Sequence, residues 1–505
     1  MQNGFTRKFE PLEIISPEEV ESIHRGALYT LETTGMRVEH DRALQLFADN
    51  HCNVDFEEKR VRIPGWFAEE CVRKCPSNFV IKGRDGGESD IMLGGNTLYF
   101  MQGMGMLYLD LDTWETRPAT IKEHREATIV ADALPNIHLA DAIFSFTQLE
   151  GVPAAMTFVE TLANGLRYCV KPQQYGYQKD CEIFAIKMAK ALDINLNPEL
   201  DTASPLAIYG EAIDAAFRYV EAGFPIMPCA GITMGAEGPM TGAGSLVQAA
   251  ATVMGWATLV QLIKPGSAIS IQYGLKPMDM RRGSPLFGSA VNSMTTAMMN
   301  QILRRYQIPS CTSAGFTSLS KKIDFQSGYE KAMGTLISAL AGGNVHIFQG
   351  GSGAELIYST VLSILDDDIA GWVGRFLQGI DVNDETMAIN LINEIGPVPG
   401  HFLSTPHTRK FMSTEHNFPQ VADQEAYAVW VEGGKKDALS LAREKMQDIL
   451  ANHKPKPLTA EQDKAIEDIL QEAREYYRDR GMISDEEWTT YMRTLDESRA
   501  RTHFE

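Results

Sequence analysis

The stretch Asn344–Ser359, NVHIFQGGSGAELIYS, decides the fold. Its first half is a short apolar run of the kind that fills a buried strand, and its second half is glycine-dense and leads into a helix. A histidine sits inside the run at His346, and Gln349 ends it. Polar groups and glycines where a buried strand gives way to a helix suit a βα unit whose strand end carries function.

Working outward, the same rhythm repeats. The apolar runs IHLADAIFSF, LRYCVKP, SPLAIYG, FPIMPCAGI, AISIQYG and IPSCTSAG precede NVHIFQGG, with helical segments such as EAIDAAFRYVEAG and SLVQAAATVMGWATLVQLIKPG between them. Short buried strands alternating with longer helices predict a parallel sheet covered by helices. Seven strands read clearly, and an eighth is placed in EIGPVPGHFLSTPHT. Eight such units close into a (β/α)8 TIM barrel. A doubly wound sheet is the alternative. Polar and aromatic residues at nearly every strand end favour the barrel, whose strand ends converge on one mouth.

Three regions are expected. Residues 1–118 form an N-terminal α+β extension: a helix after Ser16-Pro17, and β-hairpin strands in NTLYFMQGMGMLYLDLDTWET. Residues 119–424 form the barrel, and residues 425–505 a charged helical tail with a KPKP turn, read as a surface or subunit-contact element of a homo-oligomer.

Composition narrows the function. The 505 residues are 44% hydrophobic, ordinary for a large globular core, with no uninterrupted apolar stretch long enough to span a membrane. The first residues lack an apolar signal core. A net charge of −20 argues against a nucleic-acid partner and suits a cationic substrate. Seven cysteines form no CxxC pair, which reads as reduced thiols in the cytoplasm with no bound metal.

The expected mouth holds Phe144 and Phe146; Gln173, Gln174 and Tyr175; Tyr209 and Glu211; Gln272, Tyr273 and Lys276; Phe316; and His346, Phe348 and Gln349. The set is rich in rings and amides and poor in acid–base pairs. Neither a phosphate loop nor HExxH occurs, and the GxSxG pattern at Gly350 does not complete. Aromatic faces attract quaternary ammonium groups, so the mouth reads as a cation cage with polar anchors.

Four longer stretches resemble the trimethylamine methyltransferase superfamily: LDLDTWETRPATIKEHREATIVADALPNI, KPMDMRRGSPLFGSA, SKKIDFQSGYEKAMGTLISALAGGN and GHFLSTPHTRKFM. The resemblance covers most of the chain. It implies a TIM barrel and transfer of a methyl group from an amine to the Co(I) centre of a partner corrinoid (cobalamin) protein, with no cofactor bound tightly by the barrel itself. The chain shows no pyrrolysine, and similar pyrrolysine-lacking relatives use quaternary amines such as glycine betaine, proline betaine and carnitine. A betaine needs a partner for its carboxylate. His346 or Gln349 could donate to it, with Arg281 as a second candidate of fork geometry. Tyr99 and Gln102 would cover the mouth. A quaternary ammonium loses its methyl without any proton moving, so no general acid or base is required. Two alternatives stay open: a Schiff-base aldolase using Lys171 or Lys276, and a betaine-binding protein without catalysis.

Overall fold

The computed structural model describes residues 4–103, 105–142, 146–313, 315 and 317–502, with the side chains of 348 and 498–502 left undescribed. Its centre is a succession of eight short parallel strands, each followed by a helix. The strands are β1 (Thr97–Gln102), β2 (Ala140–Asp141), β3 (Gln173–Tyr175), β4 (Asn197–Leu200), β5 (Met227–Pro228), β6 (Ile271–Tyr273), β7 (Ser310–Thr312) and β8 (Val345–Gln349). The helices are α1 (Ile121–Ala133), α2 (Thr157–Tyr168), α3 (Cys181–Ala191), α4 (Gly210–Ala222), α5 (Gly242–Ile263), α6 (Ala290–Tyr306), α7 (Phe325–Leu340) and α8 (Thr360–Leu377).

Parallel ladders join β2 to β3, β3 to β4, β4 to β5, β6 to β7, β7 to β8, and β8 to β1. Single parallel bridges fill the two remaining joints: Met101 to Leu139 beside β1 and β2, and Ile226 to Ile269 with Cys229 to Gln272 beside β5 and β6. Every strand therefore has a parallel neighbour on both sides.

Local sequence explains the helix starts. Thr120 and Glu123 form a capping box on α1, and Ser289, Asp324 and Ser359 accept the first free N–H groups of α6, α7 and α8. Helix α5 is long and apolar enough to cross a membrane by length and composition, but most of it is buried inside the fold. Its Trp256 donates from Nε1 to Thr202 Oγ1 at 2.7 Å.

Three strand expectations are corrected. EIGPVPGHFLSTPHT forms no strand: helices Ile389–Ile395 and Pro406–Phe411 border it, with no buried residue in either. The missing strand is β1, which the sequence pattern places in a hairpin. It pairs in parallel with β8, and the hairpin forms instead between Leu107–Leu109 and Thr116–Arg117. An alternating strand looks the same in either pairing, and its partner here lies some 245 residues away. In SPLAIYG, Ala207–Ile208 pairs with Met36–Val38 in a separate sheet, and the parallel strand lies earlier, in NPEL. That segment escapes pattern reading because Asn197 and Glu199 break the apolar run.

The N-terminal helix Pro17–Thr33 starts at a Ser16–Glu19 capping box. Near the C-terminus, helix Ala460–Asp479 buries Ile466, Leu470 and Tyr477, and its Arg474 reaches Glu160 of α2 at 2.8 Å.

Candidate active site: an acidic mouth at the strand ends

The carboxyl ends of β2 to β6 converge on acids and amides. Asp141 ends β2, Gln174 lies in β3, Glu199 lies in β4 with Asp201 two residues on, Cys229 follows β5, and Gln272 lies in β6. Gln174 Nε2 donates to Glu199 Oε2 at 2.8 Å. Ligand atoms of Glu199, Asp201 and Cys229 lie within 4.8 Å of one another. Glu199 is buried, Cys229 half-buried and Asp201 exposed, so the set runs from the floor of the mouth to its rim. Tyr177 donates from its hydroxyl to Asp201 Oδ2 at 3.5 Å.

The electrostatics follow from crowding acids away from water. Burial pushes the Glu199 carboxyl well above its ordinary value, and the negative charges of Asp201, Asp141 and Glu355 push it further. A hydrogen bond from Gln272 opposes them. Protein packed around Asp201 at the rim raises its carboxyl too, against the hydrogen bond from Tyr177. The Cys229 thiol is raised by burial and then by Glu199 and Asp201, with Lys276 pulling the other way. Three such donors could hold a metal ion, although a thiol kept protonated is a poor ligand.

The glycine-dense stretch after β8 supplies the fourth acid. Gly350 (φ +93°) and Gly353 (φ +59°) are left-handed, and so are Ala354 (φ +59°) and Glu355 (φ +70°), where a side chain is strained. Backbone bonds hold this turn: Gly353 N to Ser320 O at 3.0 Å, and Ala354 N to Ser318 O at 3.0 Å. It brings Glu355 Oε1 to 3.4 Å from Lys276 Nζ, which lies 4.0 Å from the ring centroid of Phe287.

The residues expected at the mouth scatter. Gln174 is in place. His346 is enclosed in the core: its edge meets the Phe100 ring (centroids 5.7 Å apart), Gly315 and Gly343 crowd it, and neither ring nitrogen has a hydrogen-bond partner. Burial, aided by the Arg7 charge, lowers its pKa to about 3. Gln349 turns toward α8, donating to Asp367 Oδ1 at 3.2 Å and Ser363 O at 3.3 Å. Tyr99 is bonded by its hydroxyl to the backbone of Met92, and Gln102 stitches Tyr358 to the Asp141 N–H. Tyr175 is buried beside Cys181 and Tyr219, and Tyr273 donates to Asn300 Oδ1 of α6 at 2.6 Å. Tyr209 is exposed at the start of α4, and Glu211 there accepts from Lys179 N at 2.7 Å. Arg281 is exposed and bound to Asp279 at 3.2 Å. Phe144, Phe316 and the Phe348 side chain lie outside the described residues. Lys171 donates to the carbonyls of Ala131 and Leu134 at the end of α1, a fixed structural role.

Sequence reading thus misses Asp141, Glu199, Asp201, Cys229 and Glu355. Glu-Leu-Asp at 199–201 carries the signal, since acids two apart share one face of a strand.

The family described as "Trimethylamine methyltransferase (MTTB)" matches residues 1–476. The glycine betaine methyltransferase of Desulfitobacterium hafniense strain Y51 is 28% identical over 471 residues, 90% of this chain and 96% of that protein. A trimethylamine methyltransferase, MttB, of strain DCB-2 is 28% identical over 479 residues, 92% of this chain and 94% of its own. The crystal structure of the Methanosarcina barkeri monomethylamine methyltransferase aligns at a TM-score of 0.44 and 12% identity, covering 86% of this chain and 92% of that one. The chain belongs to the trimethylamine methyltransferase (MTTB) family and is an enzyme that transfers methyl groups.

Proposed function

We propose that the protein removes a methyl group from a quaternary amine at the mouth of a (β/α)8 barrel and passes it to the Co(I) centre of a corrinoid carried by a partner protein. Eight βα units with a parallel neighbour on each side of every strand support the barrel. The observation that carries the chemistry is Glu199, a buried carboxylate at a strand end held by neutral amides and surrounded by Asp141, Asp201 and Glu355. A permanent cation bound there relieves that repulsion.

The attraction comes from carboxylates rather than from an aromatic cage. At 4 Å and an effective dielectric near 20, one such pair contributes on the order of 4 kcal/mol. Described rings at the mouth, Tyr177 and Phe287, add apolar faces for the methyl groups. In the reaction the N–CH3 bond breaks, its electron pair stays on nitrogen, and the methyl goes to the two-electron nucleophile Co(I). The amine leaves neutral and no proton moves. The protein's own task is to hold the cation and aim one methyl outward.

Two assembly features belong to the same reading. Seven unpaired cysteines support a reducing, cytoplasmic setting. The segment from Gly379 to Glu432 exposes Ile380, Val382, Val398 (91%) and Leu403 (87%), and the outer faces of α7 and α8 expose Phe325 (85%), Tyr329, Met333, Trp372 and Phe376. Such side chains together offer on the order of 1,000 Å² of apolar surface, above the roughly 800 Å² per partner of a standard interface. We infer that a second copy of the chain covers them, each arm lying on its neighbour's helices.

The test is a panel of methylated amines incubated with the protein and Co(I) cobalamin or a corrinoid protein. Absorbance should change from Co(I) to methyl-Co(III). Failure of every amine with both acceptors would overturn the reading.

A further inference from the structure

We propose that the mouth selects methylated ammonium ions that carry no carboxylate and discriminates against zwitterionic betaines. The inference deepens the methyl-transfer reading and rests on it only for the steps after binding.

The charge balance of the mouth carries the argument. Glu199 and Asp201 bring carboxylate oxygens within 4.8 Å of one another, and Asp141 and Glu355 lie close enough to repel Glu199 as well. The described cation beside them, Lys276, is already engaged, 3.4 Å from Glu355 and stacked over Phe287.

A second observation points to a cationic ligand independently of the carboxylates. Gln174 and Gln272 are both more than nine-tenths buried. Gln174 spends its Nε2 on Glu199, and Gln272 also bonds to Glu199. Each is left with an Oε1 that accepts nothing. The floor is therefore oversupplied with acceptors. A tetraalkylammonium presents polarised C–H groups on every side and asks nothing of a donor.

A betaine brings the same ammonium with a carboxylate one carbon away. That carboxylate would need donors or a cation. The groups that sequence reading assigns to it are elsewhere: His346 is sealed in the core, Gln349 serves α8, and Arg281 is bound to Asp279. In the mouth the carboxylate would meet acids and bare amide oxygens.

Binding separates this inference from catalysis. Isothermal titration of the full chain with tetramethylammonium chloride and with glycine betaine, at constant ionic strength, should give a Kd at least tenfold lower for tetramethylammonium. Glu199→Gln and Asp201→Asn should each weaken tetramethylammonium at least tenfold and leave betaine nearly unchanged, with thermal melts confirming that both variants fold. Lys276→Met should tighten tetramethylammonium several-fold by removing a competing cation. Equal affinities, tighter betaine, or betaine binding lost on Lys276→Met would overturn the inference, the last by making Lys276 the carboxylate's anchor. Selective tetramethylammonium binding with no methyl-Co(III) from any amine would sink the methyl-transfer reading and leave this one standing. Methyl-Co(III) from betaine, with no tetramethylammonium bound, would do the reverse.

Discussion

Glu199 is set where an acid is costly: buried, with a charged neighbour in each of Asp141, Asp201 and Glu355. Its folded-state pKa is raised, so the fold without a bound cation favours the neutral carboxyl, and a cation beside it draws the proton off and restores the carboxylate. Stability is then lost as pH climbs from the unfolded value of about 4.3 toward the raised folded one. Replacing the acid with its isosteric amide removes that cost. Glu199→Gln should raise the melting temperature at pH 7.5 and flatten the fall in stability above pH 5, a gain typical of a residue kept for function. Differential scanning calorimetry across pH checks it; a lower melting temperature would mean that the carboxylate is structurally required. His346 behaves oppositely. Burial holds it neutral, with its pKa at about 3, alongside His138 at about 3 and His124 at about 4. Their contribution is present above the unfolded value of about 6.5 and is lost as pH falls through that value toward their folded ones. Between pH 6 and 4 the three together should make stability rise with pH by about 4 kcal/mol per unit at most. His346→Leu should cut that slope by about a third and leave kcat/KM within twofold of the parent. Urea unfolding at a series of pH values measures the first, and a loss of activity in the variant would return His346 to the site.

At the scale of elements, α7 and α8 are joined by a buried ion pair. Lys331 Nζ lies 2.8 Å from Asp366 Oδ2, and the same oxygen accepts from Gly350 N at 2.7 Å, which ties both helices to the turn after β8. Removing one partner leaves a buried charge uncompensated. Lys331→Met should cost about 3–5 kcal/mol in urea unfolding, and a loss under 1 kcal/mol would show that Asp366 simply takes up a proton. The helices are legible in the sequence because their caps and apolar periodicity are local, and so are the strands whose apolar runs stand alone, such as β8. Strand β1 is misassigned because pairing is not local. Strand β4 is missed because its buried face carries Asn197 and Glu199, which local pattern reads as exposed. The site fails for a related reason. Tyr175 and Tyr273 are real strand residues, but their side chains face helices, and one residue of register moves a ring from the mouth to the outer wall. The Gly350–Glu355 turn reads from sequence as a glycine-dense passage from strand to helix, while its left-handed Ala354 and Glu355 hold an acid beside Lys276.

For the whole molecule, net charge and local charge agree. A chain at −20 gathers four acids at the converging strand ends, and both favour cations. The apolar arm from Gly379 to Glu432 sets a second expectation. Light scattering after size exclusion should give a mass at least twice 56.0 kDa, and Leu403→Asp with Phe325→Asp should shift it toward the single chain. A monodisperse parent of one chain's mass would refute the arm's role. The most direct test of the central claim, that the acidic mouth holds a methylated cation for transfer, is a single-turnover measurement. Parent and Glu199→Gln proteins are mixed with a quaternary amine and Co(I) corrinoid, and methyl-Co(III) is followed by absorbance. With the amine far below saturation, loss of one close carboxylate, on the order of 4 kcal/mol of attraction for the cation, predicts transfer at least roughly a hundredfold slower in the variant. Equal rates in the two proteins would contradict the account.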